Sequence, residues 1–454
     1  MTKNNLQVGF ARLQVTPPMG IEIAGYYKER HAEGVLDDLY VLATAIRSGE
    51  KTILLMSLDH CGVTMPFIEK FKASVTERTG VAAEAIFMSA THTHTGPRLS
   101  GFNPENGEQS LYDNYIDMLA RKFADVAQFA VEDLKPAKMG IGESKAPNVS
   151  FVRRFRMKDG TAKTNPGVNN PDIVAPIGDV DERVVVLRFD RENADTVVLV
   201  HFANHPDVVG GNLISGDWPA LTRTFVEKSI DNTKCIFFNG AQGDVNHVNV
   251  HPKAGDFNDM FNDFDGCSRG YGHARHIARV VTGAVLQVYD KVEYVDVDNI
   301  KYSLNIVDIP ANKATKEELV LAHKYNDLHN AGKDDEIPFK AMMLTTVVAE
   351  AARMVRLENA DDFFKLPFGA VSIGNVALFG IPGEPFTNIG RGIKNAEGWD
   401  YVLPCCLTNG SEGYFPMKDS YDEGGYEARS SGFKAGTAEL IIEKGLEILK
   451  DLRK

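Results

Sequence analysis

The chain of 454 residues has an ordinary globular composition, with 43% hydrophobic and 24% charged residues. Acidic residues outnumber basic residues by 62 to 49, so the formal net charge is −13, and neither nucleic acid nor an anionic membrane surface is expected as a partner. No apolar run reaches the ~18 residues that cross a bilayer, which excludes a transmembrane helix.

The N-terminal sequence, MTKNNLQVGFARLQVTPP, contains neither the apolar segment nor the cleavage site of a signal peptide. The five cysteines are odd in number and include no C-x-x-C pair, which is typical of reduced thiols rather than of a disulfide framework. These features predict a cytoplasmic protein. Because no repeat, low-complexity tract or linker interrupts the chain, we expect one large domain over residues 1–454.

A short apolar, β-rich run followed by a polar or glycine-rich loop recurs along the chain. The first run, Lys51–Gly62, is followed by a helical stretch and by a second run that ends in Phe87–Pro97, and this spacing predicts a right-handed βαβ unit. Ligands of open α/β sheets bind outside the carboxyl ends of the strands. We therefore predict an α/β fold with a mixed β-sheet core flanked by helices and a metal site in the loops at the strand ends. The later runs are Thr196–Pro206, Lys234–Asn246, Asn375–Phe386 and Tyr401–Tyr414.

The loop after the second run carries His92 and His94 in His-x-His spacing. In an extended segment, residues two apart project from the same face, so both imidazoles could meet one ion or one substrate. His205 and Glu384 follow two of the later runs, and a catalytic zinc site needs about three such ligands and an open position. Structural alternatives stay open, namely a hydrogen bond for His205 and a helix-dipole interaction for Glu384.

Other motifs give weaker signals. The loop Gly240–Asn246 lacks the G-K-[ST] ending of a phosphate-binding loop, and no G-x-S-x-G elbow of a serine hydrolase occurs. His247 and His251 follow this loop and are expected beside the site or at its rim. His273 and His276 share one face of a predicted helix, which is more typical of a solvated face than of a site.

Two further segments are predicted to be helical. Residues 311–360 have the pattern of a charged helical pair that either caps the crevice or forms a plain surface excursion. Gly436–Lys454 has apolar residues at helical spacing and predicts an amphipathic helix packed on the body of the protein.

Six motifs resemble those of the neutral/alkaline (non-lysosomal) ceramidases: SATHTHTGP, FANHP, SGDWPA, NGAQGDVN, PGEPF and GYFPMKDSYDEGGYEA. They occur in the order of that family, over about residues 8–435. The resemblance implies one catalytic zinc held by two histidines, a glutamate and a tyrosine, with further residues near the scissile amide. The matching positions are His92, His205, Glu384 and Tyr414 for the ion, and His94, Arg153 and Tyr426 for the substrate.

The resemblance also suggests what these residues do. His94 would act as the general base or as a donor to the developing oxyanion. Tyr426 and Arg153 would hold the carbonyl group or another polar group of the substrate, with Arg154 as the competing alignment for the arginine.

Three aspartates follow or precede the same loops. Asp59, Asp217 and Asp244 would orient the histidines from behind, or else cap helices and turns. Asp217 precedes Trp218-Pro219 and a helical run, which makes it a good N-cap candidate.

Three departures from the family bear on function. Asn246 stands where the family has a serine proposed as a nucleophile, so catalysis through that serine is excluded here. The chain shows no signal segment and no C-terminal β-sandwich domain after the YEA motif.

We therefore expect a zinc-dependent hydrolase with one Zn²⁺ per chain, which cleaves a C–N amide bond of a small, soluble N-acyl compound by metal-activated water. The alternatives are a zinc-dependent esterase or phosphoesterase, and a non-catalytic ligand-binding homologue.

Overall fold

The computed structural model describes residues 6–99, 109–253 and 270–454. The strands, in chain order, are β1 (Leu6–Gln14), β2 (Gly34–Val35), β3 (Tyr40–Ser48), β4 (Lys51–Leu58), β5 (Ile86–Ala90), β6 (Lys135–Lys145), β7 (Phe151–Val152), β8 (Arg154–Met157), β9 (Ala162–Thr164), β10 (Ile173–Pro176), β11 (Arg183–Arg191), β12 (Thr196–Phe202), β13 (Leu213–Ile214), β14 (Thr233–Asn239), β15 (Val245–Asn246), β16 (Glu293–Val295), β17 (Ile300–Pro310), β18 (Phe363–Ile373), β19 (Val376–Gly380), β20 (Glu384–Pro385), β21 (Tyr401–Cys405) and β22 (Tyr414–Phe415). The helices are α1 (Met65–Thr79), α2 (Gln109–Glu132), α3 (Asp217–Ser229), α4 (Tyr271–Tyr289), α5 (Lys316–Asn330), α6 (Ala341–Leu357), α7 (Thr387–Lys394), α8 (Asp419–Glu423), α9 (Tyr426–Ser430) and α10 (Thr437–Arg453).

A nine-stranded mixed sheet forms the centre of the fold, in the order β14-β12-β11-β6-β1-β3-β4-β5, with β16 paired to β6. The pairs β4–β5 and β12–β14 are parallel, and the other pairs of this sheet are antiparallel. Parallel neighbours need a crossover connection, which α1 and α3 provide. The βαβ unit predicted between Lys51 and Pro97 is therefore present, and the predicted α/β fold with a mixed sheet is confirmed.

Both faces of this sheet are buried. In β12, Val197 and Leu199 belong to a core shared with α1 and α2, whereas Val198 and Val200 belong to a core shared with α3 and α4. Successive strand residues point to opposite faces, so the continuous apolar run of β12 fills both cores at once. This is why the run lacks the alternating pattern of a strand with one exposed face.

A second sheet, β17-β18-β19-β21, packs beside the first and is covered by α10. The predicted amphipathic C-terminal helix is present, and its Ile441 and Leu449 are buried against this sheet. The two sheets meet where the Ser89 and Thr408 hydroxyl oxygens lie 2.6 Å apart. As a result, the carboxyl ends of strands from both sheets converge on one region, where the loops with the predicted site residues begin.

The predicted helical pair within residues 311–360 is also formed, by α5 and α6. Helix α5 begins with a capping box: the Thr315 hydroxyl accepts from the Glu318 backbone N–H, and the Glu318 carboxylate accepts from the Thr315 backbone N–H.

Within the described ranges, no helix combines the length and the apolar character needed to cross a bilayer.

One buried ion pair joins the loop after β4 to helix α3. The Arg223 guanidinium donates two hydrogen bonds to the Asp59 carboxylate, at 2.8 and 2.6 Å, and both side chains are buried. Asp59 also accepts from the backbone N–H of Tyr40. A buried carboxylate needs such partners because its desolvation is costly.

We expect Arg223→Met to lower the free energy of unfolding by about 3–5 kcal/mol, because it leaves the Asp59 carboxylate buried and uncompensated. Urea unfolding measures the loss. The matched control is Lys70→Met, which removes the cation of the exposed Lys70–Asp117 pair and should change stability little. Equal losses in the two variants would contradict this account.

Candidate metal centre

His92 lies in the loop that follows β5 and has a φ of 79°, a left-handed conformation that is uncommon for residues other than glycine. Its backbone N–H donates to the His60 carbonyl at 2.8 Å, and its Nδ1 lies 2.5 Å from the Cys61 carbonyl oxygen. A carbonyl only accepts hydrogen bonds, so Nδ1 carries a proton and Nε2 is the unprotonated nitrogen of the neutral ring. Two carbonyls of one loop thus hold His92 with its Nε2 turned away from them. Strain of this kind collects at functional sites.

Four buried side chains converge at this Nε2. It lies 3.1 Å from Nε2 of His205, 3.2 Å from Nε2 of His94 and 3.2 Å from Oε2 of Glu384. With metal–ligand bonds of about 2.0–2.2 Å, the corners of a tetrahedral site lie about 3.3–3.6 Å apart. The observed spacings are close to those separations. His92, His205 and Glu384 can each offer one ligand atom, with the three atoms within 4.8 Å of one another.

The chemistry of these groups fits a divalent cation such as zinc. Imidazole nitrogens and a carboxylate are the donors that zinc takes in catalytic sites. Nδ1 of His205 is buried and has no hydrogen-bond partner among the described residues, although His205 is almost fully buried. Lone pairs facing one another in a buried site are unfavourable unless a proton or a cation lies between them. An ion at this position would accept one lone pair from each of the three residues.

The electrostatics of the metal-free protein follow from the same crowding. Burial is the largest single influence on His92 and disfavours its imidazolium, but Glu384 and Cys61 together outweigh it, so the pKa of His92 lies well above its usual range. Burial likewise opposes ionisation of Glu384, yet His92 and Arg153 hold its pKa below the usual range. Burial, and then the charge of Arg153, lower the pKa of His205 well below normal. An ion bound at Nε2 of His92 requires that nitrogen to be free of a proton, and the hydrogen bond from Nδ1 to the Cys61 carbonyl favours this form of the ring.

Tyr414 is placed beside Glu384 by the short parallel pair β20–β22, in which the two residues are directly opposite. Burial, reinforced by Glu384, raises the pKa of Tyr414 well above the usual range. The Arg153 guanidinium lies over the Tyr414 ring, 5.2 Å from its centroid. The fourth residue of the implied zinc set therefore lies next to Glu384, one of the other three.

The two candidate arginines point in different directions. Arg153 lines the cavity in front of the centre, is paired with Glu427 at 2.7 Å and donates to the Gly243 carbonyl. Arg154 is buried behind the cavity lining, where it donates to the Ser420 hydroxyl and to Glu423. Arg153 lies between β7 and β8 and Arg154 is the first residue of β8, and the two side chains contact different partners. The structure thus brings Arg153, and not Arg154, to the cavity.

His94 forms part of the cavity wall and is fixed by a loop near the N-terminus. Its ring packs edge-on against Tyr26, with centroids 5.6 Å apart, and its carbonyl accepts from Arg30. Gly25 of this loop has a φ of +102°, and a Cβ there would lie 2.6 Å from the His94 ring. Only glycine allows so close an approach.

Tyr426 completes the inner lining. Its ring centroid lies 5.7 Å from that of Tyr414, and its hydroxyl oxygen lies 3.3 Å from the Tyr27 hydroxyl. Burial, and then the neighbouring Tyr27, raise the pKa of Tyr426 well above its usual range, so the phenol stays neutral and can donate a hydrogen bond.

Asn246 lies behind the cavity wall and is fully buried. Its side-chain carbonyl accepts from the Val248 backbone N–H, and its amide nitrogen donates to Asn165 at 3.1 Å. Asn165 lines the cavity, whereas Asn246 is not among the lining residues. Asn246 thus supports the wall from behind.

The three aspartates contact backbone groups and an arginine rather than the histidine rings. Asp59 pairs with Arg223, and Asp244 accepts from the backbone and hydroxyl of Thr387 at the start of α7. Asp217 is the first residue of α3 rather than its N-cap, a position that Gly216 occupies. Its carboxylate accepts from the backbone of Val208, Val209 and Trp218, and so fixes the loop that carries His205.

The other candidate histidines lie outside the centre. His247 is buried, with Nδ1 3.1 Å from Asp207, and the His273 ring packs against it at 5.2 Å. His251 and His276 are exposed. His247 therefore lies one layer behind Asp207, a residue of the cavity wall.

A cavity of about 880 Å³ opens in front of the centre. Its inner lining consists of His94, His205, Arg153, Tyr414 and Tyr426. Its outer wall includes Tyr26, Tyr27, Lys28 and Arg98 on one side, and His329, Asp334, Met342, Leu344 and Val348 of the segment 311–360 on the other. The helical pair α5–α6 thus contributes to the mouth of the cavity.

Sequence reasoning missed several contributors to the site. The carbonyls of His60 and Cys61 hold His92, and Gly25, Tyr26 and Tyr27 form the wall against His94 and Tyr426. A carbonyl that accepts a hydrogen bond leaves no trace in residue type, so no motif could have indicated the first two. The run AGYYKER, with its glycine before two tyrosines, is the signal that could have indicated the wall.

No protein-family model matches the sequence, and no curated protein sequence matches it. The structure, however, is similar to that of neutral ceramidase from Pseudomonas aeruginosa, with a TM-score of 0.72 and 17% sequence identity over 99% of this chain and 75% of that chain. It is equally similar to a ceramidase in complex with C2, with a TM-score of 0.73 and 15% identity over 99% of this chain and 76% of that chain. The chain has a neutral-ceramidase-like fold.

Proposed function

We propose that the protein is a zinc-dependent hydrolase that cleaves the C–N amide bond of an N-acyl compound. The observation that carries the proposal is the buried convergence of His92, His205 and Glu384 next to a cavity lined by further polar groups. The ceramidase-like fold supports amides as the substrate class, since ceramidases cleave an amide. We propose one zinc per chain, with Tyr414 as the fourth ligand, and a single catalytic domain over residues 1–454.

Bound by these residues, zinc would supply a Lewis acid that activates water at neutral pH. His94 is the residue that we assign to proton transfer. It lines the cavity, and its Nε2 lies 3.2 Å from Nε2 of His92. At that position it can take a proton from the attacking water and pass it to the leaving amine.

Arg153 and Tyr426 are the groups that we assign to the substrate carbonyl. Arg153 is buried and always charged, and Tyr426 is a neutral phenol. Donors that are held in place before the reaction stabilise the negative charge that develops on a carbonyl oxygen. Glu427 and Gly243 restrain the guanidinium, so the chain itself provides that order.

We also propose that water attacks directly, without an acyl-enzyme. Asparagine at position 246 has no nucleophilic oxygen, and it lies behind the wall, bonded to Asn165 and Val248. Asn246 then acts on the reaction only by supporting Asn165.

The substrate that we propose is short and polar rather than a long-chain ceramide. Charged and polar groups of Lys28, Arg98, His329 and Asp334 line the outer wall, beside the rings of Tyr26 and Tyr27 and the apolar side chains of α6. We propose that residues 311–360 act as a helical cap that narrows the mouth.

The free cysteines Cys235, Cys405 and Cys406 are buried, which supports our proposal of a reducing, cytoplasmic location.

The first prediction for this function concerns the ion. Purified protein should contain about one zinc per chain, and His205→Ala or Glu384→Ala should each remove it, measured by elemental analysis. The thermal midpoint should change far less than the metal content, because the loops rest on a large core. The matched control is His251→Ala, which alters an exposed histidine. Protein without metal whose activity survives chelators would refute the zinc assignment.

A second prediction separates His94 from Asn246. His94→Ala should lower kcat by about 10²–10⁴-fold if it transfers the proton. Asn246→Ala should cost only about ten- to a hundredfold, the equivalent of ~1–3 kcal/mol for a buried partner left unpaired. Steady-state kinetics on any good amide substrate gives both values. In a pre-steady-state experiment, a burst of amine release with a trapped acyl-enzyme would overturn direct attack by water.

A third prediction concerns substrate size. The ratio kcat/KM should be higher for short or polar N-acyl compounds than for long-chain ceramide presented in detergent, because the mouth is polar and narrowed by α5 and α6. A panel of N-acyl compounds of increasing chain length, with matching esters as controls, measures this. Fast turnover of long-chain ceramide with none of small amides would refute the proposal, and a preference for the esters would point to an esterase.

A further inference from the structure

A cysteine lies directly beside the candidate metal centre. Cys61 follows β4 in the same loop whose carbonyl holds His92, and its side chain is partly exposed. The other cysteines that the structure describes, Cys235, Cys405 and Cys406, are buried. Within the described ranges, Cys61 is therefore the thiol that is most open to solvent and to solutes.

The Cys61 thiol is close enough to share an ion with two histidines. Its Sγ lies 3.8 Å from Nδ1 of His92, and Nε2 of His92 lies 3.2 Å from Nε2 of His94. Cys61, His92 and His94 can each offer one ligand atom, with the three atoms within 4.8 Å of one another. A metal–sulfur bond of ~2.3 Å and a metal–nitrogen bond of ~2.0 Å place the two donors about 3.6 Å apart. The Sγ–Nδ1 distance is close to this value, and the three donor atoms, which lie within 4.8 Å of one another, would have to move closer together to complete a site.

We propose that Cys61, His92 and His94 form a second, soft metal site that takes a thiophilic divalent cation. Thiolate is a soft donor, whereas the set of His92, His205 and Glu384 contains a hard carboxylate. The two sets differ in hardness and share His92. The protein thus has two sets of ligands side by side, and the nature of the ion decides which set it occupies.

Binding at the soft site is an exchange of protons for a metal ion. The S–H bond of Cys61 breaks, a metal–sulfur bond forms, and the thiol proton passes to solvent. If the ligating nitrogen of His92 is Nδ1, its proton leaves in the same way and its hydrogen bond to the Cys61 carbonyl is lost. No electron is transferred.

The soft site disturbs the first set. The hydrogen bond between His92 Nδ1 and the Cys61 carbonyl fixes the direction of His92 Nε2. A thiophilic ion on Cys61 and on Nδ1 of His92 removes that restraint and also occupies His94. Such an ion therefore competes with the arrangement of His92, His205 and Glu384.

Cadmium titration of the metal-free, full-length protein tests the proposal, because cadmium–thiolate bonds absorb in the near ultraviolet. Wild-type protein should develop this absorption with about one cadmium–sulfur site per chain. Cys61→Ser should abolish it and weaken cadmium binding by on the order of a hundredfold, since even the loss of a group next to a ligand costs about 10–100-fold. His94→Ala should weaken binding at least tenfold, at the low end of that range.

Two variants serve as matched controls. His205→Ala alters only the first set and should retain the absorption. Cys267→Ser alters the cysteine outside the described residues and should retain it as well. Circular dichroism at each end point checks the fold, and Cys61→Ala replaces Cys61→Ser if the serine variant unfolds.

Several results would overturn the proposal. The first is a wild-type protein that develops no cadmium–thiolate absorption. The second is an absorption that persists in both Cys61 variants. The third is a His205→Ala variant that loses as much of the absorption as Cys61→Ser does. The readout is metal binding and not turnover. The experiment therefore tests the soft site independently of the proposed amide substrate.

Discussion

The buried carboxylate of Glu384 is the constraint on which the rest of the centre depends. An ionised carboxylate inside a protein needs opposite charge or hydrogen bonds, because its desolvation costs several kcal/mol. Here the compensating groups are the His92 imidazole, the Arg153 guanidinium and the neighbouring Tyr414. Each of these in turn requires support: His92 from two loop carbonyls, and Arg153 from Glu427 and Gly243. The polar network is thus built outward from one charge.

The fold makes this concentration of polar groups possible by bringing strand ends together. β5, β12, β14 and β19 come from two different sheets, and their loops meet where β5 and the segment after β21 are bridged by Ser89 and Thr408. Large apolar cores on both faces of the central sheet hold the strands in place. The strained φ of His92 persists because the surrounding loops over-determine it. The Asp59–Arg223 pair then ties the loop before His92 to helix α3.

Under the proposed function, the walls of the cavity, rather than its floor, would distinguish one substrate from another. The floor consists of groups suited to any hydrolysis of a carbonyl compound: imidazoles, an arginine and phenols. The walls come from a loop near the N-terminus, with Tyr26 and Tyr27, and from α5 and α6. Tyr27 contacts both sides, since its hydroxyl meets Tyr426 and its ring packs against His329. The charged and polar groups in these walls would favour a ligand that brings polar groups of its own, because unpaired buried polar groups are costly.

The sequence by itself determined the βαβ unit, the helical pair within residues 311–360 and the C-terminal helix, because apolar periodicity follows directly from which faces are buried. It also indicated His92, His205, Glu384 and Tyr414 as neighbours, by resemblance and by their places after apolar runs. Which of Arg153 and Arg154 lines the cavity needed the tertiary structure, because only the packing decides which of two neighbouring side chains meets the cavity. The same holds for Asp59, whose partner Arg223 lies 164 residues away along the chain. Backbone carbonyls such as that of Cys61, and the closeness of its thiol to His92, belong to the tertiary structure alone. They depend on where loops from distant segments meet, and residue type and spacing carry no information on that.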